Sequence, residues 1–362
     1  MIHDPHSGTR AAIEAFAKGA MVVVTDDDDR ENEGDLIFAA SLATPEKMAF
    51  TIRHTSGIVC APLSGEEARR LRLNPMVSDN DAPMGTAFTV SVDVRHGTTT
   101  GISAEERTAT VRALTNGNMQ AGDFVRPGHV FPLIAKDGGV LIRSGHTEAA
   151  VDLCKLAGLP PVGVIAELVN DDGTVMRGPQ VTAFAAEHKL PKISVADLIA
   201  YRQARDKLVE RISEFPMETA IGTLKTYAYV TPFDRVHHLA LVHGSIDDGL
   251  DVPTRLHRAN AITDVFGGGK ALRTTLERFA TYGRGVLVYL RDGAVGVPST
   301  DTGEGTSSET ARQQQWREVG LGAQILADLG VSSIRLLASR ERHYVGLNGF
   351  GIEIAETEII EG

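Results

Sequence analysis

A chain of 362 residues is longer than one hydrophobic core usually supports, so its length points to two domains. With 42% apolar and 23% charged residues it reads as an ordinary globular protein, not a disordered one. A net charge of −11 argues against nucleic acid and anionic membrane as partners, since both demand concentrated Lys and Arg, and leaves a small molecule as the expected ligand.

Met1–Arg10 holds His, Asp and Pro where a signal peptide needs an apolar core. No later stretch approaches the roughly 20 apolar residues of a membrane span, so the expected location is cytoplasmic, with no membrane. Cys60 and Cys154 are the only cysteines, too few for a disulfide framework or a multi-thiolate metal site.

In chain order, Met21–Thr25 and Leu36–Ala40 read as strands flanking an acidic loop, and Pro45–His54 reads as a helix. The Gly-, Pro- and Asn-rich section Leu73–Gly101 holds a further strand, Ala87–Asp93. Ser103–Asn116 is expected to be helical, with Ser103 and Glu106 spaced as a capping box. A helix over Thr147–Ala157 is closed by Gly158 and Pro160–Pro161, and the strand Val162–Val169 follows. The charged segment Val195–Glu214 reads as helical, and a new β-rich pattern begins near Ala220, which sets domains at 1–205 and 206–362. The second holds strands at Gly222–Val230, Val236–Gly244, Val286–Leu290 and Ser333–Ala338, and helices at Ala271–Tyr282 and Gly320–Gly330. The mixture implies an α+β (mixed α/β) class for both halves.

Asp26–Asp35 carries seven carboxylates and one arginine in ten residues. An isolated acidic run is usually a solvated face, but this one lies between two strands, where functional loops are placed. If the chain stays extended, Glu31, Glu33 and Asp35 share one face, and converging carboxylates repel unless a hard cation such as Mg²⁺ lies between them. Arg30 either meets a substrate phosphate or neutralises its neighbours.

His129 sits in the Pro/Gly-framed turn Arg126–Leu133, as a strand-end histidine or as a general acid or base. Gly138–Gly139 and the run Arg143, Ser144, Gly145, His146, Thr147, Glu148 lead into a helix N-terminus that can cradle a phosphate, with Arg143 and Thr147 completing it and His146 able to join Glu31 on a metal. The plain alternative is a helix capped by Thr147. Glu167 interrupts an apolar strand and is either ion-paired or a carboxyl tuned for proton transfer. Cys60 is a small buried residue or a thiol lining the pocket.

Together, Asp28–Asp35, Thr51–Cys60, Arg126–Leu133 and Ser144–Ala149 make the first 205 or so residues resemble 3,4-dihydroxy-2-butanone 4-phosphate synthase of riboflavin biosynthesis. The resemblance implies conversion of D-ribulose 5-phosphate to the four-carbon phosphate, with C4 leaving as formate. It assigns Mg²⁺ (or Mn²⁺), two ions per site, to Glu31 and His146. Substrate contacts fall on Arg30, Glu31, Asp35, Arg143, Ser144, Gly145, His146, Thr147 and Glu167, and essential catalytic roles on His129 and Glu167. It also implies a homodimer.

Gly222–Gly362 resembles GTP cyclohydrolase II through His238–Gly244, Thr254–His257, Gly283–Tyr289 and Gly320–Gly330. That enzyme's zinc needs three cysteines soon after the Arg-Leu-His segment, and Arg258–Lys270 has none. The Glu-Gly-Arg stretch is altered to Arg291–Gly296 and a later turn to Ala338–Arg342. His237, His238, His243 and His257 read as framework residues. The expectation is a catalytically inactive domain without zinc that stabilises the dimer, helps folding or binds a nucleotide or flavin; the alternative is a bifunctional enzyme.

Overall fold

The structure is a computed structural model that describes residues 6–26, 31–82, 84–232, 236–291, 320–339 and 352–360. The chain divides into two compact units, Met1–Tyr201 and Arg202–Gly362.

In the first unit the strands are β1 (Val22–Thr25), β2 (Gly34–Ala39), β3 (Cys60–Leu63), β4 (Val92–Val94), β5 (Phe124–Ile134), β6 (Gly163–Glu167) and β7 (Lys192–Ser194). They form one mixed sheet in the order β4-β5-β3-β6-β2-β1-β7. Helices α1 (Ser7–Ala17), α2 (Pro45–His54), α3 (Gly65–Arg70), α4 (Ala104–Thr115), α5 (His146–Leu156), α6 (Pro179–Glu187) and α7 (Val195–Gln203) complete the chain order. The central strands are largely apolar because both sheet faces are covered: every residue of β2 is buried, Asp35 included. One core gathers Phe38, Met48, Leu63, Leu114 and Phe124, and a second packs Val23, Leu36, Val181 and Phe184.

The second unit is built on β8 (Glu210–Thr219), β9 (Gly222–Val230), β10 (His237–His243), β11 (Val252–Arg258), β12 (Gly285–Leu290), β13 (Ser333–Ala338) and β14 (Glu353–Ile359), with α8 at Lys270–Tyr282 and a helix at residues 320–328. Strand order is β14-β13-β11-β12-β10-β9-β8, antiparallel from β8 to β12 and parallel from β12 to β14. Among the described residues no helix is long and apolar enough to cross a membrane.

Several local expectations hold residue for residue. α2 starts and stops where read, Thr44 capping it by accepting from the Lys47 N–H, and the Ser103/Glu106 capping box forms. Three change. The segment read as one helix to Glu214 ends at Gln203, and Glu210–Thr219 becomes an edge strand paired with β9. Of Ala87–Asp93 only the end joins β4; Phe88 and Thr89 make single bridges to Leu133 and Pro75. The N-cap of α5 is Gly145, not Thr147.

Candidate active site

The acidic loop does not continue the strand. Asn32 adopts φ +54°, and the Asp26 carboxylate accepts from the backbone N–H groups of Glu31 at 3.2 Å and Glu33 at 2.9 Å, which ties these two residues to the end of β1. The strand-like alternation expected for Glu31, Glu33 and Asp35 is therefore broken. Glu33 turns to Arg177, 3.4 Å away, while Asp26 takes its place beside Glu31. Donor atoms of Asp26, Glu31 and His146 all lie within 4.8 Å of one another. Two carboxylates and an imidazole at that spacing fit a hard divalent cation that keeps waters or substrate oxygens in its remaining positions.

Asp35 is the second residue of β2 and sits directly opposite Glu167 of β6 in the antiparallel register. It is 2% exposed, and its Oδ1 lies 3.5 Å from His146 Nδ1. Burial first, then the charges of Glu167, Glu31, Asp26 and Glu33, push its pKa well above the usual carboxylate range. Such a crowd of acids is what a cation relieves. Cys60 on β3 feels the same acids; burial, then Glu167 and Asp35, push the thiol up, so it stays protonated and acts as a small buried residue.

Helix α5 aims its N-terminus at this cluster. Gly145 caps it and Thr147 is buried in its first turn, so the first N–H groups and the positive helix end are presented from beside His146. Arg143 is locked alongside: Nη1 donates to Glu148 Oε2 at 2.7 Å and Nη2 to the Met84 carbonyl at 3.0 Å. Glu148 is 1% exposed, and its other oxygen accepts from the Lys136 N–H. Ser144 is half-buried between them. Gly138–Gly139, read as part of the cradle, serves packing instead, since a Cβ on Gly139 would overlap the buried Asp152 carboxylate.

His129 and Glu167 lie at the same end of the sheet. Cys60 pairs with Phe131 on one side and Ile165 on the other, and His129 and Glu167 are each two residues beyond those partners in the same direction. His129 is gripped by Asp93, which accepts from its backbone N–H at 2.8 Å and lies 2.7 Å from Nδ1. Gly101, at φ +85°, allows this closeness, because a Cβ there would overlap Asp93 and meet the His129 ring. Glu167 is held by Ser56, whose hydroxyl donates to Oε2 at 2.7 Å and whose N–H donates to the Glu167 carbonyl at 2.8 Å.

The fold thus brings Glu31, Asp35, His146 and Glu167 to one end of the sheet, with Arg143, Ser144, Gly145 and Thr147 at the adjoining helix mouth. Arg30 lies outside the described residues. Sequence reasoning gave no role to Asp26, Ser56, Asp93 or Glu148. All four stood inside segments already singled out, and for Asp26 the available signal was its place at the strand end.

In the second unit the segment following β11 is a turn of π-helix over Ile262–Phe266. Asp264 accepts from His257 Nε2 at 3.0 Å, from the Tyr289 hydroxyl at 2.8 Å and from the Asn260 N–H at 2.9 Å. Both cysteines of the chain, Cys60 and Cys154, belong to the first unit and are buried. Thiolates are therefore wanting where the resemblance implies zinc, and the nearby His257 and Asp264 are bonded to each other. These residues do not fit that metal site. His238 is buried, its Nδ1 accepting from the Arg291 N–H. Residues 292–296 and 340–342 of the altered motifs lie outside the described residues.

Residues 10–201 match the family of 3,4-dihydroxy-2-butanone 4-phosphate synthase, and residues 210–359 match GTP cyclohydrolase II. The monofunctional riboflavin biosynthesis protein RIBA 2 of Arabidopsis thaliana is 47% identical, the alignment covering 95% of this chain and 75% of that one. The bifunctional protein RIBA 1 of the same plant is 46% identical over 95% of this chain and 67% of its own. RibBX of A. baumannii, a two-domain 3,4-dihydroxy-2-butanone 4-phosphate synthase, superposes with a TM-score of 0.81 at 36% identity, covering 98% of this chain and 99% of that one. A 3,4-dihydroxy-2-butanone 4-phosphate synthase in complex with two magnesium ions matches 54% of this chain and 97% of its own, with 47% identity and a TM-score of 0.53.

Proposed function

The chain belongs to the 3,4-dihydroxy-2-butanone 4-phosphate synthase family of riboflavin biosynthesis, and from that premise we propose that its first unit converts D-ribulose 5-phosphate to 3,4-dihydroxy-2-butanone 4-phosphate and formate at the cluster around Glu31 and His146. The observation that carries the reading is the convergence of Asp26, Glu31 and His146 within 4.8 Å beside the buried, charge-crowded Asp35. Glu31 and His146, with Asp26, hold Mg²⁺ or Mn²⁺; a count of two ions follows the magnesium-bound relative. When bound, the metal stabilises negative charge building on neighbouring sugar oxygens.

The rearrangement needs protons moved next to a carbonyl and a hydroxyl expelled. Glu167 has one oxygen engaged by Ser56, which leaves Oε1 to take a proton. His129 is held through Nδ1, which leaves Nε2 as the nitrogen that exchanges one. Asp35 and the acidic loop face the sugar, and Arg143, Ser144, Gly145, Thr147 and the α5 N-terminus hold its phosphate. The working form is a homodimer, by family resemblance.

For the second unit two readings stand against different observations. Its match to GTP cyclohydrolase II and the bifunctional relative favour a second activity on GTP. The lack of any cysteine after Cys154, together with the monofunctional relative and the two-domain synthase, favours a structural or regulatory unit without zinc, and this is the reading we adopt. Purified full-length protein given ribulose 5-phosphate with Mg²⁺, or GTP with Zn²⁺ and Mg²⁺, separates them. Turnover of the sugar alone supports the adopted reading, turnover of both supports the bifunctional one, and an inert His146→Ala variant ties sugar turnover to the proposed site.

A further inference from the structure

A buried arginine stands near the catalytic pair. Arg107 lies in the first turn of α4 and is 5% exposed. Its Nη1 donates to the Gly57 carbonyl at 3.0 Å, and its Nε has no partner among the described residues. Burying a guanidinium without a carboxylate against it is unfavourable. A helix N-terminus is also the wrong end for a cation. Neighbouring Glu106 gives no relief, because its carboxylate is committed to the N–H groups of Thr99, Gly101 and Ser103. Neither solvation nor local helix structure accounts for Arg107.

Its surroundings do. Burial lowers its pKa, and the charge of Asp93 acts in the opposite direction. Asp93 is the residue that grips His129. The Gly57 carbonyl belongs to the loop whose Ser56 grips Glu167, and Gly57 turns there at φ +75°. One guanidinium is thus bonded to the loop that holds Glu167 and feels the charge of the residue that holds His129.

We infer that Arg107 is a positioning residue shared by His129 and Glu167, balancing the charge of Asp93 on one side and pinning the Ser56 loop through the Gly57 carbonyl on the other. The inference rests on the reading of His129 and Glu167 as the catalytic pair. Arg107 touches no substrate; it keeps two groups on separate strands in one geometry, and a displacement of about 1 Å in such a group can cost about a hundredfold in rate.

The test uses the full chain with Mg²⁺ and formate release from ribulose 5-phosphate. Arg107→Met should lower kcat by roughly a hundredfold while KM moves less than about threefold. Arg107→Lys, which keeps the charge, should recover at least about a tenth of the wild-type kcat. Combining Arg107→Met with Ser56→Ala, or with Asp93→Asn, should lose less than the product of the single effects, because each pair acts through one arrangement. A kcat within threefold of wild type, an effect confined to KM, or full multiplicativity with both partners overturns the inference. If Arg107→Met loses its thermal transition, the cycle of Arg107→Lys with Ser56→Ala decides: lysine keeps charge but not the forked reach to Gly57, so multiplicative losses there overturn the inference as well. His129→Ala and Glu167→Gln separate the two levels. If they remain active, the catalytic reading itself fails; if they are inactive while Arg107→Met is unaffected, only this inference fails.

Discussion

Asp93→Asn probes the His129 assignment with least disturbance of shape. The carboxylate is 5% exposed and makes two contacts to the same residue, 2.8 Å to the backbone N–H and 2.7 Å to Nδ1. Asparagine can keep an acceptor for the backbone N–H, but then its amide N–H points at Nδ1. The ring must accept there and carry its proton on Nε2, the reverse of the tautomer that a carboxylate favours. A hydrogen bond to a charged partner contributes about 1.5–3 kcal/mol, and about 1.4 kcal/mol is a factor of ten in rate. Loss of orientation alone therefore lowers kcat roughly 10- to 100-fold, and disabling general acid–base transfer extends the range to about 10⁴. We expect kcat at least about 100-fold below wild type, KM within about threefold and an intact thermal transition. Formate release coupled to formate dehydrogenase gives both constants. A variant that folds and turns over within threefold of wild type would refute the role given to the Asp93–His129 pair.

Glu148→Gln should loosen Arg143: breaking a buried pair costs about 3–5 kcal/mol when a charge is left alone, and the amide should forfeit part of that while raising KM about tenfold with less effect on kcat. Thermal melts and steady-state kinetics read the two effects separately. Asp35→Asn should stabilise the metal-free protein yet abolish turnover. The sign follows from its raised pKa: in the fold the ionised form is disfavoured, so the native acid weakens stability increasingly as pH rises from the ordinary carboxylate range through its raised value. The variant's gain in melting temperature in EDTA should therefore grow between about pH 4 and neutrality. A gain that shrinks over that range contradicts the charge crowding. Asp264→Ala should lower the melting of the second unit, by on the order of 2–4 kcal/mol for the lost buried network, whether or not zinc is supplied. Rescue by zinc would contradict the reading of that unit as metal-free.

Much of the first unit was legible because its signals are local. The β-branched run Val22–Val24, the Thr44 and Ser103 caps and the Gly145 entry to α5 each decide structure within a few residues. Glu210–Thr219 was not legible: as an edge strand it exposes both faces at most positions, so no hydrophobic alternation marks it, and its charges imitate a helix surface. The acidic loop failed at one residue. Asn32 in the left-handed region reverses the chain, replaces Glu33 with Asp26 and lies below the reach of a periodicity argument. The residues that hold His129 and Glu167 come from far away in sequence. Asp93 stands 36 residues from His129 and Ser56 stands 111 from Glu167, and it is the pairing of β4 with β5 and the bridge between Thr55 and Leu168 that bring those segments together.

The central claim is one working site, in the first unit, with the second unit bringing no chemistry of its own. Formate measured from ribulose 5-phosphate and, separately, from GTP, on the same full-length preparation supplied with Mg²⁺ and Zn²⁺, tests it most directly. The expected result is stoichiometric formate from the sugar, abolished by His146→Ala, and none from GTP. Formate from GTP, or none from the sugar, would contradict it.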